Sequence, residues 1–149
     1  MAITPEALFK YFTSLLEQPK IKEMIQRVKR KFHPVFSIVP TCGKWYGGMC
    51  NGAAKIEISS WVLKDAKVAR GVGRHELAHA IQDHLDIEGR SHGKEFIQIL
   101  KTIAPRRWRK DRYWENTPAI KKARVKIYPA KGKVMKPLVD FSEFKVYFT

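Results

Sequence analysis

The sequence predicts an α+β fold in which one long helix packs with other helices against a small sheet. Apolar residues recur at helical spacing in several stretches, the longest over 66–86. Short apolar or alternating runs at 35–39 and 55–60 have the length of strands and are bounded by Pro and Gly. The last third, beyond Pro105, returns to short strand-like runs separated by turn residues. At 149 residues, 44% of them hydrophobic, the chain is most simply one domain, 1–149, with enough apolar mass for a core. Within it, residues 1–104 read as a core with N-terminal helices and 105–149 as a basic C-terminal extension, a helical turn followed by β-strands.

Thr4 suits an N-cap, Pro5 the first helical position and Glu6 the first turn. Leu8, Phe9, Phe12, Leu15 and Leu16 follow at helical spacing, which predicts a helix over 5–17. Ile21, Met24, Ile25 and Val28 make a second stripe. Val35 to Val39 reads as a strand stopped by Pro40. Residues 41–54 carry the turn signals Gly47-Gly48 and Asn51-Gly52 and read as a loop or irregular hairpin. In 55–60, Ile56 and Ile58 alternate with Lys55 and Glu57. A free edge on that strand would let an extended peptide add to it. Trp61 to Leu63 form a short turn before the long helix. Gly71 and Gly73 fall inside that helix, where each costs about 1 kcal/mol relative to alanine, so close packing against a neighbour is expected there. Ser91 is a candidate cap for a helix over 93–103. Strands are expected at 124–128, 134–138 and 144–148, with a basic hairpin turn at 129–133.

The long helix contains His75-Glu76-Leu77-Ala78-His79, an HExxH motif. Each helical residue advances about 100°, so His75 and His79 return to one face, a turn apart, and can offer two imidazole nitrogens to one metal ion. Glu76 lies angularly between them, placed to reach a water rather than to act as a third ligand. Zinc with three protein ligands keeps a fourth position for water, whose pKa falls to about 7. A third ligand is needed. Gly and His at three and six residues past His79 would mark one zinc class, but Gln82 and Leu85 stand there. Glu95 could serve from a following helix. His84 lies about 140° round from His79, off the metal face, and reads as a solvated or hydrogen-bonded helix histidine. His33 has no ligand spacing. His92, in the turn Gly89-Arg90-Ser91-His92-Gly93, is the best choice.

The stretch HELAHAIQDHLDIEGRSHGKEF, His75 to Phe96, resembles the SprT-like metalloprotease family, in which HExxH is followed by HGxxF or HGxxW opening the next helix. Ala54 to Ser60 resembles the strand that leads into the short helix before that family's active-site helix. The resemblance covers about residues 35–103. It implies a zincin-like fold, Zn2+ held by His75, His79 and His92, Glu76 as general base, and endopeptidase activity on protein or peptide. Family members degrade proteins crosslinked to DNA, which implies a DNA-repair role. Many also carry a Cys-rich zinc ribbon at the C-terminus, which is missing here: Cys42 and Cys50 are the only cysteines. An oxyanion-stabilising donor is also needed, and Lys44, Tyr46, Arg74 and Tyr113 all qualify. The alternative function is a nucleic-acid-binding or transcription-related regulatory protein with a structural metal site, against which an intact Glu76 argues. A peptidase of acidic proteins that does not bind DNA is a further rival.

The net charge of +15 is uneven, with +10 of it in residues 101–149. That asymmetry points to a polyanionic partner, and nucleic acid, single-stranded or damaged DNA before a specific sequence, is the leading candidate. Arg106, Arg107, Trp108, Arg109, Lys110 and Arg112 form the most nucleic-acid-like run, joined by Lys131 and Lys133. Guanidinium groups suit phosphate, and exposed indoles stack on unpaired bases. Trp108 and Trp114 are equally compatible with burial. No apolar run approaches the length of a membrane span, and the N-terminus reads as an amphipathic helix rather than a signal peptide. An intracellular location, no membrane partner and free thiols are therefore expected.

Overall fold

The computed structural model describes residues 1–32, 34–39, 47–51, 55–114, 118 and 144–147. Helix α1, Pro5–Glu17, starts where the Thr4 hydroxyl accepts the Ala7 N–H at 3.1 Å, and it buries Leu8, Phe9, Phe12 and Leu15. Helix α2, Pro19–Ile25, buries Ile21 and Met24; Val28, the last residue of the expected stripe, lies beyond its end. Strand β1 is Val35–Val39, β2 Gly48–Asn51 and β3 Lys55–Ser59. A 3-10 turn over Ser60–Lys64 buries Trp61, Val62 and Leu63 and leads into α3, Ala66–His84. Asp65 caps α3, its carboxylate accepting the N–H groups of Lys67 and Val68 at 3.0 and 3.3 Å. Helices α4, Lys94–Ile103, and α5, Trp108–Arg112, follow, and β4 is Phe144–Tyr147.

The architecture is α+β, as expected. The strands form one mixed sheet in the order β2-β3-β1-β4. β1 and β3 are parallel, with Phe36 opposite Ile56 and Ile38 opposite Ile58. All four of these side chains are fully buried, and they meet Phe12, Leu77, Ile81, Phe96 and Leu100 in one core. Helix α3 runs through the middle of that core, which fixes its histidine face relative to the sheet.

Several expectations are corrected. The strand over 55–60 has no free edge, because β2 pairs with it antiparallel on one side and β1 lies on the other. β2 covers that edge with backbone, so among the described residues the outer strand on that side is β2. Helix α3 stops at His84 rather than 86, since Asp86 turns the chain with a φ of 54°. Gly93, not Ser91, is the N-cap of α4, without a side-chain hydrogen bond. The final expected strand is present as β4, and it pairs antiparallel with β1. The strands expected at 124–128 and 134–138 and the turn at 129–133 lie outside the described residues.

The two helix glycines have the expected cause. A methyl group on Gly73 would run into the Phe12 ring, and one on Gly71 would come within 3.0 Å of the Asp111 carboxylate.

Candidate metal centre

Helix α3 delivers His75, Glu76 and His79 from its buried side, and the turn before α4 delivers His92. His92 has a φ of 62°, a left-handed backbone uncommon outside glycine. The three rings converge on one point. Nε2 of His75 lies 2.9 Å from Nε2 of His92 and 3.2 Å from that of His79; Nε2 of His79 lies 2.9 Å from that of His92. Among the described residues, this is the group of three whose ligand atoms are close enough to hold one metal ion. Glu95 does not join it and lies against Gly89. Phe96 packs against all three imidazoles, with ring centroids 4.4 to 5.1 Å away, and closes the apolar side of the cluster.

The donor set fits a metal. Nδ1 of His75 sits 2.6 Å from the Asp111 carbonyl oxygen, an acceptor only, so the ring donates from Nδ1. Its Nε2 is then a bare lone pair facing two other ring nitrogens. Burial pushes the His75 imidazole down to about 3, with His79 and His92 adding to the effect and the Asp111 hydrogen bond opposing it. Burial and then His92 push His79 down to about 4. His92 is lowered by burial and by the Arg112 charge. At neutral pH the cluster is three uncharged imidazoles, the form in which histidine binds metal.

Glu76 is buried, 4% exposed, and its Cγ would lie 3.0 Å from a Cβ added at Gly48 of β2. The carboxylate-bearing residue of the motif thus lies where α3 meets the outermost strand. A cleft of about 280 Å³ opens beside His79, bounded by Gln82, Asp83 and the turn from Asp86 to Ser91.

His84 is held away from the cluster, its Nε2 hydrogen-bonded to the Ile25 carbonyl at 2.9 Å. Arg74 is no oxyanion donor: it is 8% exposed and locked to Asp111, its Nε 2.6 Å from Oδ2 and its Nη2 3.1 Å from Oδ1. Tyr113 is half exposed with the Arg112 guanidinium over its ring at 4.6 Å. Lys44, Tyr46, His33, Cys42, Lys131 and Lys133 lie outside the described residues.

The basic run divides. Arg106, Arg107, Arg109 and Lys110 are exposed. Trp108 is half-buried, with Lys101 and Arg109 over its ring at 4.6 and 4.8 Å. Trp114 is buried at 6% exposure, edge-on to His75 with centroids 5.8 Å apart, which resolves it as a core residue. Arg112 turns inward, Nη2 donating to the His92 carbonyl at 3.3 Å. The contacts of Asp111 and Arg112 with the histidines were not foreseen from the sequence. Pairings across 36 and 20 residues have no periodic signature, and this run attracted notice only for its charge.

A histidine pair one turn apart on a core helix, a third histidine from the next turn and a mixed sheet alongside define a zincin-like fold with three histidines placed to hold a metal ion. The chain belongs to the SprT-like family, whose model matches residues 16–119. No curated protein and no solved structure matches it. Among the described residues, no helix is long and apolar enough to cross a membrane.

Proposed function

We propose that this protein is a zinc-dependent endopeptidase. The family supports a metalloprotease-type function. The observation that carries the reading is the convergence of three neutral imidazoles within 2.9 to 3.2 Å of one another, one of them fixed by the Asp111 carbonyl in the ligating tautomer. His75, His79 and His92 would hold the ion. Zinc in such a site supplies Lewis acidity, polarising the scissile carbonyl and lowering the pKa of water to about 7. Glu76 acts as general base, taking a proton from the attacking water and passing it to the leaving amine. The packing of its Cγ against Gly48 sets Glu76 at the boundary between α3 and β2. Among the described residues no strand covers the outer edge of β2. An extended peptide pairing with that edge would pass beside Glu76, so the substrate edge is assigned to β2 in place of 55–60.

The exposed Arg106, Arg107, Arg109 and Lys110 support a nucleic-acid partner, with single-stranded DNA fitting a surface of guanidinium groups beside a partly exposed indole. Proteolysis of proteins on or crosslinked to DNA would use both surfaces.

The test is a comparison of wild type with Glu76→Gln, measuring zinc content and cleavage of an unfolded protein substrate. One equivalent of zinc in both, with cleavage reduced about 10²–10⁴-fold in the variant, is the expected result. Equal cleavage by the two would remove Glu76 as the base.

A further inference from the structure

We infer, resting on the reading of the three histidines as a zinc site, that α5 is the outer shell of that site: Asp111 and Arg112 are positioning residues for His75 and His92, and Arg74 anchors them. A metal-ligating histidine needs its second ring nitrogen bonded to a carbonyl or carboxylate, which fixes both tautomer and ring direction. For His75 that group is the Asp111 carbonyl at 2.6 Å. It projects from the end of a five-residue helix, far too short to hold its own geometry.

What holds it is Arg74, the residue immediately before His75. Its guanidinium grips the Asp111 carboxylate through two nitrogens, 2.6 and 3.1 Å away, and its Nη1 donates to the Tyr11 hydroxyl at 2.8 Å. Gly71, one turn earlier on α3, leaves room for that carboxylate. Adjacent residues of α3 thus grasp the two ends of one residue: Arg74 the side chain of Asp111, His75 its backbone oxygen. Such a buried ion pair is weak evidence for stability, because apolar residues of like volume often replace one without loss. Its geometry, however, places one carbonyl against one ring.

The next residue acts on the third ligand through its backbone rather than its ring. Arg112 donates to the carbonyl of His92, whose left-handed backbone is otherwise an unfavourable choice for a β-carbon-bearing residue. The same inward-turned guanidinium stacks on Tyr113. Arg112 thereby belongs to the metal site and not to the outward basic surface formed by its neighbours.

The test uses the full chain, with zinc affinity measured by competition against a chromophoric chelator, the visible spectrum of the cobalt(II)-substituted protein, and thermal unfolding of the metal-free form. Arg112→Met and the double variant Arg74→Met/Asp111→Leu should each weaken zinc binding about 10–100-fold and alter the cobalt band. The metal-free unfolding midpoint of Arg112→Met should stay near that of wild type, and Arg112→Lys should recover part of the affinity. A merely structural role would lower the midpoint and leave zinc affinity and the cobalt spectrum unchanged, and that result would overturn the assignment. Should the double variant fail to fold, Arg112→Met alone decides. If wild type itself binds no stoichiometric zinc, the underlying metal reading fails, an outcome distinct from equal affinity in wild type and variants.

Discussion

The ring of Phe12 occupies the space that a side chain on Gly73 would take. This one contact seats α1 on the helix that bears the histidines, and Phe12 stacks in turn on Phe36 of β1 with centroids 4.4 Å apart. The glycine is there because α1 and α3 approach too closely for a β-carbon.

Gly73→Ala tests that account, because two effects compete. Alanine gains about 1 kcal/mol of helix propensity. Against it stands overpacking of a rigid aromatic wall, which costs about 1–3 kcal/mol in filled cores. The ring has Phe36 behind it and cannot simply withdraw, so overpacking should win. A lower urea midpoint is expected in the variant, and partial recovery when Phe12 is also shortened to Leu. A more stable single variant would show that α1 moves aside freely.

That glycine was legible before any coordinates, as were most of the site's inner parts. HExxH fixes two imidazoles because four residues close a helical turn, while His92 was preferred over Glu95 for its place in the turn 89–93 and by the family resemblance. Other features are set by pairing across the chain, where local pattern is silent. β2 is a four-residue strand containing Gly48 and Asn51, weak strand formers, and it exists because β3 offers it a partner. Its presence moved the open edge away from 55–60. The β4 pairing with β1 depends on the return of the chain's far end. Asp111 sits amid basic residues and drew no notice as a partner for Arg74, yet it is 4% exposed.

His92 and His84 offer a contrast in metal binding. Both are histidines within 13 residues of His79, but His84 spends its Nε2 on the Ile25 carbonyl and faces Phe32 at 4.9 Å. His92→Ala should weaken zinc binding beyond the ~10–100-fold that an outer-shell change costs. His84→Ala should leave zinc content unaltered and lower stability instead. Loss of zinc from the His84 variant, with His92→Ala binding normally, would mean that the ligand set is misassigned.

The metal-free protein should weaken in acid. An unfolded histidine titrates near 6.5, while burial holds His75 and His79 at about 3 and about 4 in the folded chain and lowers His92 as well. Above 6.5 the three are neutral in both states, and the folded form keeps its full stability. As pH falls below 6.5 the unfolded chain takes up protons that the fold refuses, so stability drops continuously toward pH 3. Urea unfolding at pH 7 and pH 4.5 measures this. His79→Gln should flatten the decline by removing one of the groups. An unchanged midpoint between the two pH values would show that the cluster opens to water in the folded state.

The outward basic residues make a prediction separable from the metal site. Arg106, Arg107, Arg109 and Lys110 are all exposed, so each is free to displace a counterion from a phosphate. Affinity for single-stranded DNA should fall steeply with salt, and the slope of log affinity against log salt should shrink by roughly 0.7 for each lost contact. Replacing these four with Gln should therefore flatten the slope in steps while zinc content stays at the wild-type value. Trp108→Ala should weaken binding with little change in slope, because stacking on a base, worth about 1–3 kcal/mol, releases no ion. Affinity indifferent to salt, or a slope untouched by the four substitutions, would place the polyanion elsewhere on the chain.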